Sequence, residues 1–237
     1  MTPVVVSSAR RHVRGVEAWR RRVVRPPLTR RTAPGNECPV MHELGRPGAR
    51  LGRPRDADLT DRLLTGALDL VAEVGLDRFN ADALVTATGA GKAAVYRRWP
   101  NTEVLLAEAL GRCHPVPEVP DTGSLRGDLV ALLAPWTRAL DRDERALAAV
   151  VGQALHSEEL RAGLESAVVG PLDAAVAAVV GQHTARGHQV SARQGALLRR
   201  LVLALWWDRS VADPAPRAAA EVGELVDRVL LPVVPVG

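Results

Sequence analysis

The sequence predicts an all-α protein, with a three-helix head built around a helix-turn-helix and a larger helical domain behind it. Three observations predict this. From residue 58 onward, apolar residues recur at helical spacing in one segment after another. No window keeps the alternating β-branched pattern of an exposed strand long enough to compete. Breaks fall at glycine and proline, and residues that cap helices stand beside several of them.

Residues 1–55 show no sustained period, hold seven of the 17 prolines and carry arginine runs such as Arg20-Arg21-Arg22. A disordered basic extension is expected there. Met41 is an alternative start, which would make residues 1–40 a mis-annotated leader. The extension has 13 Arg against Glu17, Glu37 and Glu43, a charge of +10, whereas the rest of the chain carries −6. A basic arm on a mildly acidic body fits a polyanion partner, and equally a plain arginine-rich leader.

Leu59, Leu63, Ala67, Leu70, Val71 and Val74 then fall on one helical face, closed by Gly75. Asn80 is placed to cap a second helix through Ala81, Leu84 and Val85 to Thr88. Gly89-Ala90-Gly91 breaks it, because glycine accepts the positive φ of a tight turn. A third helix, 92–98, must be short, since Pro100 keeps Trp99 out of helical angles. Asn101 caps a fourth, with Glu103 in its first turn, where a negative charge suits the helix dipole. Pro115, Pro117 and Pro120 place a domain boundary, dividing a head at 56–113 from a helical domain at 121–237. Helices are expected there at about 125–140, 143–155, 157–167, 171–186, 192–211 and 216–231.

Several function classes find no support in the composition. Lys92 is the only lysine beside 30 arginines and there is no Ile, a bias that reads as GC-rich coding and gives arginine no meaning by itself. Cys38 and Cys113 indicate neither a disulfide framework nor a metal pair. No signal peptide is legible, and the strongest apolar run, 201–207, is about a third of a membrane span. A soluble cytoplasmic protein without cofactor or metal is expected. An enzyme would need a nucleophile with its base, paired carboxylates or a ligand set at usable spacing. Cys113-His114 are only neighbours, and His183 and His188 are five apart, off one helical face.

Two short helices around a glycine turn, the second basic, have the form of a helix-turn-helix at 81–98. In such a motif one helix braces on phosphates and the next enters the major groove. Between Gly89 and Trp99 stand Lys92, Arg97 and Arg98 and no acid, which suits a face pressed on DNA. Spacing alone fits a helical corner with a solvated basic edge as well.

Gly52-Arg53-Pro54-Arg55-Asp56 before the first helix, Asp82-Ala83-Leu84, the stretch from Gly89 through Lys92, Val95, Tyr96 and Trp99 to Pro100, and Glu103-Val104-Leu105-Leu106 together resemble the TetR family of bacterial repressors. The Gly-x-x-Lys-x-x-Val-Tyr-x-x-Trp spacing carries most of the likeness. The resemblance implies that Lys92, Ala93 and Ala94 start the groove-facing side of a recognition helix. Tyr96 would reach a phosphate or base, and Arg97 would read or flank bases, a bidentate guanine pair being worth ~1–3 kcal/mol of discrimination. Trp99 would cover the helix from the core side, and the amides of Ala81 and Asp82 would sit over a phosphate. Three departures touch particular contacts. Ala94 stands where a hydroxyl is common, Thr102 where a lysine usually faces the phosphates, and Ala90 where the turn residue is larger. Arg53 and Arg55, and less so Arg46, sit in short Gly/Pro frames of the kind that enter a narrow minor groove.

In the back domain, Leu197, Leu198, Leu201, Val202, Leu203, Leu205, Trp206 and Trp207 are apolar almost all round their helix, and Val222, Leu225, Val226, Val229 and Leu230 follow. One monomer can hardly bury all of this, so a homodimer with a four-helix interface is expected. Trp136, His156 and Trp206 are candidates to line a pocket for a small apolar effector, though each is equally placed for plain core. A regulator that binds double-stranded operator DNA and is released by such an effector follows from the family. The rival reading is a helical interaction protein whose helix-turn-helix no longer reads DNA, which the departures at Ala94 and Thr102 would produce.

Overall fold

The computed structural model describes residues 54–234, so the segment holding Arg46 and Arg53 lies outside the described residues. Helix α1, Pro54–Val74, starts a turn earlier than the apolar period, because proline's fixed φ and missing N–H suit the first helical turn. It buries Leu63, Leu64, Ala67, Leu68 and Val71, and leaves Val74 exposed. Gly75 closes it at φ 80°, and a 3₁₀ turn, Leu76–Arg78, leads to α2, Ala81–Thr88. Asn80 accepts the Ala83 amide at 2.9 Å, and Gly89 ends α2 at φ 66°, a left-handed angle that a side chain would strain. Helix α3 is only Lys92–Tyr96, and Asn101 caps α4, Thr102–Leu110, by accepting the Val104 amide at 2.8 Å.

The remaining helices are α5 (Leu125–Leu132), α6 (Arg142–Ala154), α7 (Glu158–Leu164), α8 (Gly170–Ala185), α9 (Ala192–Trp207) and α10 (Ala219–Leu225). Among the described residues there is no strand. Side chains expected of caps do that work: Ser124, Ser157 and Ser191 each accept an amide in the following turn, and Asp141 and Glu144 form a reciprocal capping box.

Several boundaries differ from expectation. The helix expected at 125–140 ends at Leu132, and a 3₁₀ turn, Ala134–Thr137, follows with Pro135 inside it. The helices expected at 157–167 and 171–186 are one continuous rod, Glu158–Ala185. Pro171 does not break it because a π-turn, Glu165–Val169, precedes it, so that the Gly170 amide already reaches back five residues to the Glu165 carbonyl. By length and composition this rod could cross a membrane, yet Leu160, Leu164, Val168, Leu172, Val176 and Val179 bury one side of it in the core. At the far end α9 and α10 each run into a π-turn, Asp208–Ala212 and Val226–Leu230.

One hydrophobic core runs from Leu63 through Trp99, Leu129, Leu147 and Val179 to Val234. Head and back helices share it. Helix α4 lies against α7 so closely that a Cβ on Gly163 would stand 3.2 Å from both Cα and O of Ala107. The Ser157 hydroxyl donates to Glu103 at 2.7 Å across the same contact, and Arg142 reaches Asp69 from α6 to α1 at 3.1 Å.

Charge is also buried. Arg209 and Glu144, both almost fully inaccessible, pair at 2.6 Å. Asp128 is buried at the start of α5 and pairs with Arg186 at 2.6 Å. Burial pushes the Asp128 carboxyl up, but hydrogen bonds from Arg186 and Thr122 outweigh it and hold the group below its ordinary range. Next to this pair the turn at Gly187, φ 94°, folds His188 back to stack on buried His183, centroids 4.2 Å apart. Burial first, then His188 and Arg186, lower the His183 pKa.

Candidate nucleic-acid interface

Helix α3 advances 100° per residue, so in five residues it has one outer and one inner side. Lys92, Ala93, Tyr96 and Arg97 are exposed together, with Tyr96 at 54%. Val95 and, beyond the helix, Trp99 are buried, and the Trp99 indole donates to Glu108 at 2.7 Å. Thr102 opens α4 and is half-buried.

Ala94 is a correction to the sequence reading. It lies on the inner side beside Val95 and is buried, so its methyl does not join the groove-facing set. Its carbonyl accepts from Arg98 at 2.9 Å. Arg98 also turns away from the outer side, with Nε donating to Thr60 on α1 at 3.1 Å. Of the three cations in this stretch, two therefore stay outside.

Those two are in different situations. Arg97 is exposed and makes no ion pair among the described residues. The Lys92 ammonium sits 2.6 Å from the Asp82 carboxylate, which comes from the first turn of α2. That hydrogen bond raises the Lys92 pKa above its ordinary value. Sequence spacing gave no sign of the pair, because Asp82 and Lys92 meet only once the glycine turn has folded α3 back beside α2. Arg55 falls within the first turn of α1, and Arg53 lies outside the described residues.

The residues expected to line an effector pocket do not share one environment. His156 is a second correction: it stands exposed in the turn between α6 and α7, where the chain must change direction before Ser157 caps the next helix. Trp136 and Trp206 are buried in the core. The Arg209 guanidinium lies 5.3 Å from the Trp136 ring centroid, and Trp206 meets Trp207 edge-on at 4.8 Å.

The comparisons agree with this geometry. The family described as "Bacterial regulatory proteins, tetR family" matches residues 63–109, and "Tetracyclin repressor-like, C-terminal domain" matches residues 119–229. An uncharacterized HTH-type transcriptional regulator of Mycobacterium tuberculosis is 32% identical over 180 residues, spanning 76% of this chain and 87% of the relative. The DNA-binding transcriptional repressor TetR of Mycobacteroides abscessus is 33% identical over 177 residues, 71% of this chain and 90% of the relative. Among solved structures, Salmonella enterica GusR shares the fold with a TM-score of 0.60 at 16% identity, over 78% of this chain and 99% of that one. A helix-turn-helix with one side of its second helix exposed, on an all-helical body and with relatives of this length and identity, leaves one assignment: the chain belongs to the TetR family and is a transcriptional regulator with an N-terminal DNA-binding domain.

Proposed function

We propose that the regulator binds palindromic operator DNA as a homodimer, represses transcription there, and is released when a small apolar molecule enters the back domain. The observation that carries the DNA reading is the outer side of α3, where Lys92, Ala93, Tyr96 and Arg97 are presented while Val95 and Trp99 anchor the helix beneath. Thr102, the first-turn amides of α2 and the arginines Arg53 and Arg55 would extend that contact onto the backbone and minor groove. Repression is supported by the M. abscessus relative, a DNA-binding transcriptional repressor. The protein would work in the cytoplasm, where its operator is.

Dimerisation is supported by α9 and its π-turn. Leu197, Ala204 and Val211 are exposed along one row, with Leu201 and Leu205 half-buried beside them and Val229 exposed on the last helix. Lone exposed apolar residues are ordinary, but a row running the length of a helix is the mark of a covered face. A two-fold dimer through it presents two heads to half-sites about one helical turn apart. The effector clause rests on the buried indoles of Trp136 and Trp206, side chains of the kind that line ligand cavities.

Sedimentation with and without the chain's upstream DNA tests the assembly. Wild type is expected to sediment as a dimer and to load two chains per site. Leu197→Asp, which puts a charge into the row, is expected to give a folded monomer whose operator affinity falls at least about tenfold, since each head then binds alone. A Leu197→Asp protein that remains dimeric would place the interface elsewhere.

A further inference from the structure

We propose that Asp82 is a specificity-determining residue of the head: it withholds Lys92 from the DNA backbone and holds it ready for a base edge. The proposal rests on the DNA-binding reading above and concerns what the Asp82–Lys92 pair does there. Lys92 is the chain's only lysine, and it stands at the first position of α3 with its side chain 54% exposed. Asp82, 75% exposed, is the acid that meets it, at 2.6 Å.

An acid in the first turn of α2 has an ordinary explanation, since it complements the helix dipole. Asn80 already accepts the free Ala83 amide, however, and the Asp82 carboxylate is turned across the motif to Lys92. On a surface that meets DNA a carboxylate opposes every phosphate, whatever the sequence. Its presence there needs a gain that is sequence-dependent.

The donor count supplies one. A lysine ammonium has three N–H groups, and the carboxylate engages one side of it. At a phosphate, Lys92 either gives up Asp82 or brings that negative charge with it, so the contact releases no net counterion and adds little to sequence-independent binding. A guanine edge is neutral and offers two acceptors, O6 and N7, so Lys92 can donate to it while keeping Asp82. The pair thus lowers affinity for random DNA more than affinity for a site with a guanine in reach. Arg97, exposed and without an ion pair among the described residues, carries the phosphate or second base contact beside it.

The test compares wild type, Asp82→Asn, Lys92→Met and the double variant on random-sequence duplex and on the upstream DNA, across a salt series. Asp82→Asn is expected to tighten random-duplex binding about three- to tenfold at low salt and to steepen log K against log salt by about 0.9 per subunit engaged, with less discrimination for the upstream site. In the Lys92→Met background Asp82 is unpaired, so the same substitution is expected to tighten random and upstream duplex alike and to leave discrimination unchanged within about twofold. A loss of discrimination that recurs without Lys92 overturns the proposal, because Asp82 would then be acting other than through Lys92; no gain in the single Asp82→Asn variant overturns it too. A readout independent of DNA is the Nζ signal of ¹⁵N-lysine-labelled protein, a single resonance in this chain. It should shift and exchange faster in Asp82→Asn, and an unchanged signal would show that the pair does not form. If wild type binds no duplex at any salt while the Nζ signal does report the pair, the DNA-binding reading has failed rather than the pairing, and the specificity proposal falls with it.

Discussion

Glu144→Ala is expected to destabilise the fold by about 3–5 kcal/mol, the cost typical of removing one partner of a buried ion pair. Glu144 is joined to Arg209 at 2.6 Å, to Arg138 at 2.6 Å and to the Asp141 amide at 2.9 Å. Without it, Arg209 keeps only the carbonyls of Pro135 and Arg138, at 2.7 and 3.3 Å, as partners for a charge that water cannot reach. The capping box of α6 is lost at the same time. Arg209→Met should cost less, about 1–3 kcal/mol, because Glu144 would still be held by Arg138 and the Asp141 amide. Urea unfolding at one fixed protein concentration checks both, since association would otherwise shift the midpoint. Equal losses for the two variants would mean that the pair with Arg209 is what Glu144 contributes, and that the capping box and the Arg138 contact add little.

Trp99→Ala is expected to cost about 3–5 kcal/mol as a large-to-small core change, and to abolish DNA binding while the back domain remains helical. Trp99 is 3% exposed and lies just past the end of α3, so its ring is the floor on which a five-residue helix rests. A helix that short has no stability of its own. Trp99→Phe keeps most of the ring and gives up the hydrogen bond to Glu108, which is exposed and can turn to water; about 1–2 kcal/mol is expected. Thermal unfolding with circular dichroism, beside anisotropy with labelled duplex, separates the two effects. DNA binding that survives Trp99→Ala would show that the tryptophan does not support the reading helix.

The head was legible because its signals are local. Asn80, Gly89, Pro100 and Asn101 act within a turn of where they stand, and each ends or caps the helix expected of it. The misplacement of Ala94 is an error of phase. Over five residues, a family pattern puts 92–94 in sequence on the outer side, whereas the helix puts 92, 93, 96 and 97 there and turns 94 with 95 inward. What the sequence hid depends on contacts across turns or across the core. Asp82 and Lys92 are brought together by the glycine turn, and Gly187 stacks His188 on His183 although no regular helix would align residues five apart. Glu144 and Arg209 are 65 residues apart, and Arg209 sits in a π-turn that shifts the helical phase on which periodicity arguments rely. In the same way His156 is a pocket candidate by sequence, but α6 ends at Ala154 and the histidine belongs to the exposed turn.

Whether the outer side of α3 reads DNA is tested by anisotropy of labelled upstream DNA titrated with wild type and with Tyr96→Ala/Arg97→Ala at two salt concentrations. Both residues are exposed, so the double variant should keep wild-type stability. Wild type is expected to bind specifically, with affinity falling as salt rises, and the variant to lose at least about a hundredfold of that affinity. Wild type and variant binding the operator alike would exclude the outer side of α3 as the DNA contact, and would favour a helix-turn-helix kept for contact with another protein.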